Sequence, residues 1–335
     1  MLPVIGVRLH GGMAPKTCMQ LSRVAELSGF TSVWFAENPF DRGVLPTAAA
    51  CAITTEQIKV GIGVFNPYNR HPTLIAMEMG ALDELSDGRA MLGIGSGIGT
   101  AIERMGLSYA KPVGAVRDAI HIVRAMMRGE TVTYDGSVFS VRNVKIGYTP
   151  PRPDMPILMA AMGDQALRMC GRVADGLMVS NMCPPAYTER ALNILAESAE
   201  NAGRPAPVHV IHYVPCVARL DRNEARTAVK APIASMLAAY WAIGEHTPTI
   251  REAMISDSTI SKDEFAALIG RVQAGEEAEE VLDDRFVDDY SIAGDLDDCL
   301  AGVKRFAEAG ASELVLSFVG DQPATDMEFF GSALL

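Results

Sequence analysis

The residues of this chain that could do chemistry are few, and they stand at the ends of short apolar runs. In order they are His10-Gly11-Gly12, Glu37-Asn38, Val64-Phe65-Asn66, Ser96-Gly97, Met162-Gly163-Asp164, Asn181-Met182-Cys183, Tyr213 and Ser317. His10, closing the first run, is the histidine best placed to move a proton. Brought together, the set is apolar and amide-rich, which suits a flat aromatic cofactor better than a metal ion or a nucleophile triad. No H-x-E, H-E-x-x-H or Cys/His cluster occurs. The six cysteines are scattered without a C-x-x-C pair, which reads as reduced, mostly buried thiols.

Three stretches carry more than single residues. "GIGVFNPYNRHP" (61–72) opens a strand with glycines, which weaken a strand unless they serve a bulge or a close approach. "GIGSGIG" (93–99) has no G-x-G-x-x-G frame, so a dinucleotide fingerprint is excluded, although its bare N–H groups can face a ligand oxygen or simply make a tight turn. "AAMGDQALRMCGRVADG" (160–176) passes from a strand into a helix start at Met162, Gly163 and Asp164. Free N–H groups and the helix dipole make such a turn a phosphate cradle, or Asp164 is a plain N-cap. Arg168, one turn on, could offset the Asp164 charge.

The elements that must position these ends alternate along the chain. Apolar strands are expected at 3–9, 30–37, 58–65, 89–97, 156–163, 176–183, 207–220 and 312–318, with helices between them. Continuous apolar runs are the pattern of parallel strands covered on both faces. Eight such β/α units point to a TIM (β/α)8 barrel, with a doubly wound open sheet as the alternative. In a barrel this chemistry lies at the C-terminal strand ends, on one rim. Residues 131–147 break the rhythm and read as a β-hairpin excursion after strand 4, turning at Asp135-Gly136. A long helical insertion, 222–290, separates strands 7 and 8, and its acidic stretch 274–289 reads as a solvated helix and loop. No linker splits the chain, so one domain over 1–335 is expected.

The whole chain bounds the partners. It has 335 residues, 49% hydrophobic and 21% charged, with a formal net charge of −12. That balance argues against nucleic acid and anionic membranes and leaves a small-molecule substrate. The absence of an 18-residue apolar run or a signal-like N-terminus suggests a cytoplasmic protein.

Together, "VWFAEN", "GIGVFNPYNRHP", "LDELSDGRAMLGIGSG" and "MGDQALRMCGRVADG" resemble the luciferase-like monooxygenase superfamily of flavin and deazaflavin barrels. Within it the chain is similar to the F420-dependent branch typified by methylenetetrahydromethanopterin reductase, and "NPYNRHP" leans that way. The resemblance implies a bulge with a non-prolyl cis peptide at Gly63-Val64, bracing the cofactor ring. It implies that Glu37 lies near the ring, and that Asn38 stands where some members carry a histidine. Ile98 replaces an acidic residue found in several F420 enzymes, so a proton must come from His10, Glu37, His212 or water. The expected cofactor contacts are Glu37, Asn38, Gly63, Val64, Asn66, Ser96, Gly97, Met162, Gly163 and Asp164, with His10 and Glu37 as catalytic residues and no metal. A pocket wall of Trp34 or Phe35, Phe65, Met162, Met182 and Cys183 is expected.

The implied activity is hydride transfer between coenzyme F420 and a carbon centre of a small organic substrate. An FMN-dependent monooxygenase of the same superfamily and a non-catalytic flavin-binding barrel are the alternatives. A homodimer is implied by resemblance alone. Arg70 and His71 either orient the loop and touch the cofactor tail, or pair with a carboxylate and cap the next helix; the second is favoured. His209 and His212, three apart on a strand, point to opposite faces, and a buried structural role is expected for either. Tyr240 and Trp241 of the insertion line the mouth or simply pack.

Overall fold

A computed structural model describes residues 2–256 and 258–335. The first half of the chain runs β1 (Val4–His10), α1 (Pro15–Leu27), β2 (Ser32–Ala36), α2 (Val44–Thr54), β3 (Lys59–Phe65), α3 (Pro72–Leu85), β4 (Ala90–Ile94), α4 (Gly99–Arg104) and α5 (Pro112–Met127). The hairpin β5 (Val132–Asp135) and β6 (Ser140–Val144) follows, then β7 (Ile157–Ala160), α6 (Asp164–Val173), β8 (Gly176–Val179), α7 (Pro185–Asn201) and β9 (His209–Ala218). Five helices come next: α8 (Arg222–His246), α9 (Pro248–Met254), α10 (Lys262–Gln273), α11 (Ala278–Val281) and α12 (Asp284–Tyr290). The chain closes with β10 (Ile292–Gly294), α13 (Leu296–Glu308), β11 (Glu313–Phe318) and α14 (Pro323–Leu334).

The strands pair in the order β9-β11-β1-β2-β3-β4-β7-β8, and β8 returns to β9 through Gly176↔His209 to Val179↔His212. That pairing closes eight parallel strands into a TIM barrel and replaces the open-sheet alternative. The hairpin forms as an antiparallel pair with Gly136 N bonded to Phe139 O at 3.1 Å. One element was not legible: β10 adds three residues to the far end of β9, through Ile292↔Cys216. It is too short to show a period of its own.

Side chains on the barrel strands alternate between two cores. Ile5, Val7 and Leu9 face the surrounding helices, and on the same β1 Gly6, Arg8 and His10 face inward. Inside, Trp34, Leu158, Met178, Ile211, Tyr213 and Val315 pack together. The glycines of β3 and β4 make room for them. A Cβ at Gly61 would lie 2.3 Å from Trp34 Cε3, one at Gly63 2.1 Å from Tyr213 Oη, and one at Gly93 2.2 Å from Met178 Sδ. Five strands would otherwise crowd the same axis.

The N-terminal end of the barrel is sealed by a polar plug. Glu313, 3% exposed, accepts from Ser32 Oγ at 2.5 Å and Trp34 Nε1 at 3.0 Å, and meets His209 Nε2 at 2.7 Å. Burial alone would raise the Glu313 carboxyl, yet these hydrogen bonds outweigh it and hold it below its ordinary value. The insertion helices build a second apolar cluster on Met182, Val217 and Ala293 of the barrel side. Among the described residues no helix is long and apolar enough to cross a membrane.

Candidate active site

The C-terminal strand ends converge on one rim, where the inward layer is small. Ala36, Val64, Gly95 and Ala160 form a shelf: a Cβ on Gly95 would lie 2.8 Å from Val64 Cγ2 and 3.2 Å from Ala160 Cβ. The Gly63-Val64 peptide is cis, and the register of β3 on β4 shifts between Ile62 and Phe65, where the bulge was expected. Tyr213 Oη donates to the Gly63 carbonyl at 3.2 Å and so fixes its direction. A flat ring meets no bulky side chain on such a shelf, and the residues present fit a flavin-type cofactor.

His10 lies beside this shelf. Its Nδ1 accepts from Gly12 N at 3.1 Å, which leaves the proton of the neutral ring on Nε2. Burial and the neighbouring Arg8 charge lower its pKa, and Asp41 offsets part of that. The imidazole is therefore neutral at pH 7 and presents an Nε2–H donor. Taking up a second proton would require Nδ1 to give up its bond from Gly12.

Glu37 follows β2 and is held by Arg70, whose Nη2 donates to Glu37 Oε1 at 3.1 Å and whose Nη1 donates to Glu78 Oε2 at 2.5 Å. The same guanidinium lies over the Phe65 ring, 4.6 Å from its centroid. Glu37 Oε2 is buried with no partner. His71 caps α3, accepting from Thr73 N at 3.3 Å. Arg70 and His71 thus take the structural roles favoured from sequence, while Arg70 keeps one carboxylate oxygen of Glu37 free.

Two amides turn away from the shelf. Asn38 donates to Asp41 Oδ2 at 3.2 Å. Asn66 accepts from Tyr68 N at 3.2 Å and Asn69 N at 3.1 Å, an Asx turn that shapes the 66–71 loop. That loop leans on its neighbours: Tyr68 packs on Tyr109 at 5.1 Å, and His71 meets Phe139 of the hairpin edge-on at 5.7 Å. Ser96 and Gly97 leave β4 just past Gly95, Gly97 with φ 72°, its missing Cβ leaving room for Asn66.

Met162, Gly163 and Asp164 sit at the start of α6, where Gly163 is the N-cap and no side chain caps the helix. Tyr187 Oη holds the turn by donating to Met162 O at 2.8 Å. Asp164 is paired with Arg190 at 2.5 Å and, more loosely, with Arg168 at 3.9 Å. A cavity of about 270 Å³ opens beside this turn, between Gly163, Arg190 and Thr249. A wider concavity, about 590 Å³, lies along α7 beyond Arg190 and reaches no strand end other than Asp164.

Several expectations for the wall change. Trp34 points into the barrel and Phe35 out of it. Met182 and Cys183 do not line the mouth: Met182 belongs to the insertion's cluster and Cys183 to the core under the helices. All six cysteines are free and buried, and burial pushes the Cys183 thiol far up. His212 faces the helices, bonded to Thr188 Oγ1 at 2.9 Å, and His209 sits in the plug at the opposite end. Neither histidine reaches the shelf. Tyr240 and Trp241 divide the two roles: Tyr240 Oη meets Ser180 Oγ at 2.8 Å above β8, while Trp241 stacks on Phe265 at 5.1 Å.

Arg8 was missed as a site residue. Its guanidinium lies over Tyr213, 5.4 Å from the ring centroid, and its Nε is buried with no partner. Strand alternation alone could have found it, since Arg8 shares a face with His10.

The chain matches the family described as luciferase-like monooxygenase over residues 1–313. It is similar to the 5,10-methylenetetrahydromethanopterin reductase of Methanolobus tindarius, 30% identical over 318 residues that cover 94% of each chain. It is 34% identical over 204 residues to the F420-dependent glucose-6-phosphate dehydrogenase of Beutenbergia cavernae, covering 57% of this chain and 60% of that one. Its fold is similar to the coenzyme F420 dependent tetrahydromethanopterin reductase from Methanopyrus kandleri, with a TM-score of 0.86 at 24% identity over 99% of this chain and 98% of the other. The family pattern runs from β1 to the first residue of β11, so this chain belongs to the luciferase-like monooxygenase family.

Proposed function

We propose that the chain is an F420-dependent oxidoreductase acting on a small organic substrate, in the manner of the methylenetetrahydromethanopterin reductases. The observation that carries this reading is the small-residue shelf of Ala36, Val64, Gly95 and Ala160 at the barrel rim, open to a planar ring. Similarity to a 5,10-methylenetetrahydromethanopterin reductase over 94% of both chains, and to an F420-dependent glucose-6-phosphate dehydrogenase over 57% of this one, supports the choice of deazaflavin.

When bound, F420 supplies a two-electron carrier that exchanges hydride with a substrate carbon. The chain's residues orient and dry the site. Val64 and the Gly63 carbonyl, fixed by Tyr213, support the ring. The N–H groups opening α6 at Gly163 and Asp164 suit a phosphate on the cofactor tail, with Arg190 and Arg168 balancing Asp164. Ser96 and Gly97 border the ring, and Asn38 and Asn66 shape its surrounding loops. His10 offers its Nε2–H, and Glu37 its free Oε2, to substrate or an ordered water. One domain suits this reading, because the insertion's cluster is built on barrel residues. So does a homodimer through α2 and α3, where Ile53, Met77 and Leu85 are 68%, 50% and 45% exposed.

Paired titration with F420 and FMN, followed by cofactor fluorescence at one salt concentration, tests the reading. Micromolar or tighter F420 binding with much weaker FMN binding is expected, lost at least tenfold in Ala160→Leu, which fills the shelf. Preference for FMN would replace it with the monooxygenase, and binding of neither with a non-catalytic barrel.

A further inference from the structure

We propose that Arg8 and Ser317 form a carboxylate-recognition site at the floor of the barrel mouth, which makes the substrate a small organic carboxylate. The proposal rests on the reading of the rim as the reaction site. On β11, Glu313, Val315 and Ser317 face the barrel interior, and the register Val7↔Leu316 sets Arg8 beside Ser317. Ser317 is 6% exposed, and its Oγ is buried with no hydrogen-bond partner. Arg8 Nε is buried and equally unpartnered. Two orphaned donors on adjacent strands, at one level of the barrel, thus aim at the same space.

The described residues supply Arg8 with no counterion. Among the described residues Arg8 makes no ion pair and no hydrogen bond through its side chain. The one inward carboxylate on the neighbouring strand, Glu313, lies at the other end of the barrel and is taken by His209, Ser32 and Trp34. Three other partly buried arginines show what a carboxylate answer looks like: Arg70 meets Glu37 and Glu78, Arg226 meets Asp284 and Asp288, and Arg219 meets Glu224 and Asp326. Tyr213 covers one face of the Arg8 guanidinium and leaves its donor edge free.

A buried donor without a partner is costly, more so when charged, and the cost vanishes when a ligand atom completes the bond. A guanidinium fork matches a carboxylate in two parallel bonds, and a serine hydroxyl adds a third. One cation and one hydroxyl balance a monoanion, whereas a phosphate dianion would leave charge unmet. The protein's net charge of −12 makes a local cation all the more necessary for an anionic substrate.

Calorimetric titration of the F420-loaded protein with benzoate, benzamide and inorganic phosphate tests the proposal. Benzoate is expected to bind saturably and at least tenfold more tightly than benzamide or phosphate. Arg8→Gln should abolish that preference, Arg8→Lys should keep part of it, and Ser317→Ala should weaken benzoate several-fold. F420 affinity should stay within about threefold of wild type in each variant. Equal binding of benzoate and benzamide, or benzoate binding that survives Arg8→Gln, would overturn it. So would tighter phosphate binding, or a loss of F420 affinity in Arg8→Gln with benzoate unaffected, which would give Arg8 to the cofactor. If wild type fails to bind F420, the functional reading falls separately, and the same titrations on the free protein decide the anion site. If Arg8→Gln does not fold by circular dichroism, Arg8→Lys and Ser317→Ala carry the comparison.

Discussion

Gly63 shows how the barrel's interior assigns residues on one strand from side chains on others. Its absent Cβ leaves the space held by Tyr213 Oη and by Met178 Cε, 2.5 Å from where that atom would sit. Gly63→Ala overpacks this point and is expected to cost about 1–3 kcal/mol in urea denaturation. The effects of Gly63→Ala and Tyr213→Phe should be non-additive, because removing the hydroxyl vacates the contested space; strict additivity would contradict the packing. Arg70 is a second test at this scale. Arg70→Met leaves Glu37 and Glu78 facing each other without their shared cation, with an expected loss of roughly 1–3 kcal/mol. Glu37→Gln made alongside should recover part of that loss, and unfolding curves of the single and double variants measure it.

The seam between β9 and the helices α7 and α13 is where pH acts on an element. His212 is buried between Thr188 and Phe306, the latter edge-on at 4.7 Å, and its Nε2 meets the Cys183 carbonyl at 3.1 Å. Burial lowers its pKa to about 3. The folded pKa lies below the unfolded one, so the unfolded chain binds the proton first as pH falls. The stabilisation is therefore complete above about pH 6.5 and is lost progressively between there and pH 3. Denaturation at pH 6.5 and 5.5 should show wild type losing about 1 kcal/mol more than His212→Gln, since one proton over one pH unit has that weight. An identical slope in both would mean that His212 does not carry the effect. The same seam explains why His212 is no proton donor for the shelf: it faces away from it.

At the scale of the molecule, the proposed homodimer makes a simple demand. Ile53 on α2 and Leu74, Met77 and Leu85 on α3 expose apolar area that a second copy of the chain would cover. Sedimentation equilibrium should return twice the 35.8 kDa chain mass, and Met77→Asp should shift the protein toward monomer without unfolding it. A wild-type monomer at micromolar concentration would sink the proposal. The insertion 222–290 contributes at this scale too, because α8 carries Tyr240 to the ends of β8 while α10 and α12 pack behind it.

The sequence by itself determined the strand-helix alternation, the hairpin, the helical insertion, the buried free cysteines and the family motifs, because each depends on spacing between near neighbours. Even the Arg70–Glu78 pair and the His71 cap were legible, since both join positions within about two turns, whereas the Arg70–Glu37 pair joins residues 33 apart. Tertiary structure alone decided what depends on closure. It turned Met182 and Cys183 into buried cores, directed Asn38 to Asp41, and brought Tyr240 across to Ser180. It also set Arg8, near one end of the chain, beside Ser317, near the other. No local period records that meeting. The register of β1 on β11 is fixed when the sheet closes, and only then do two unpartnered donors share one space.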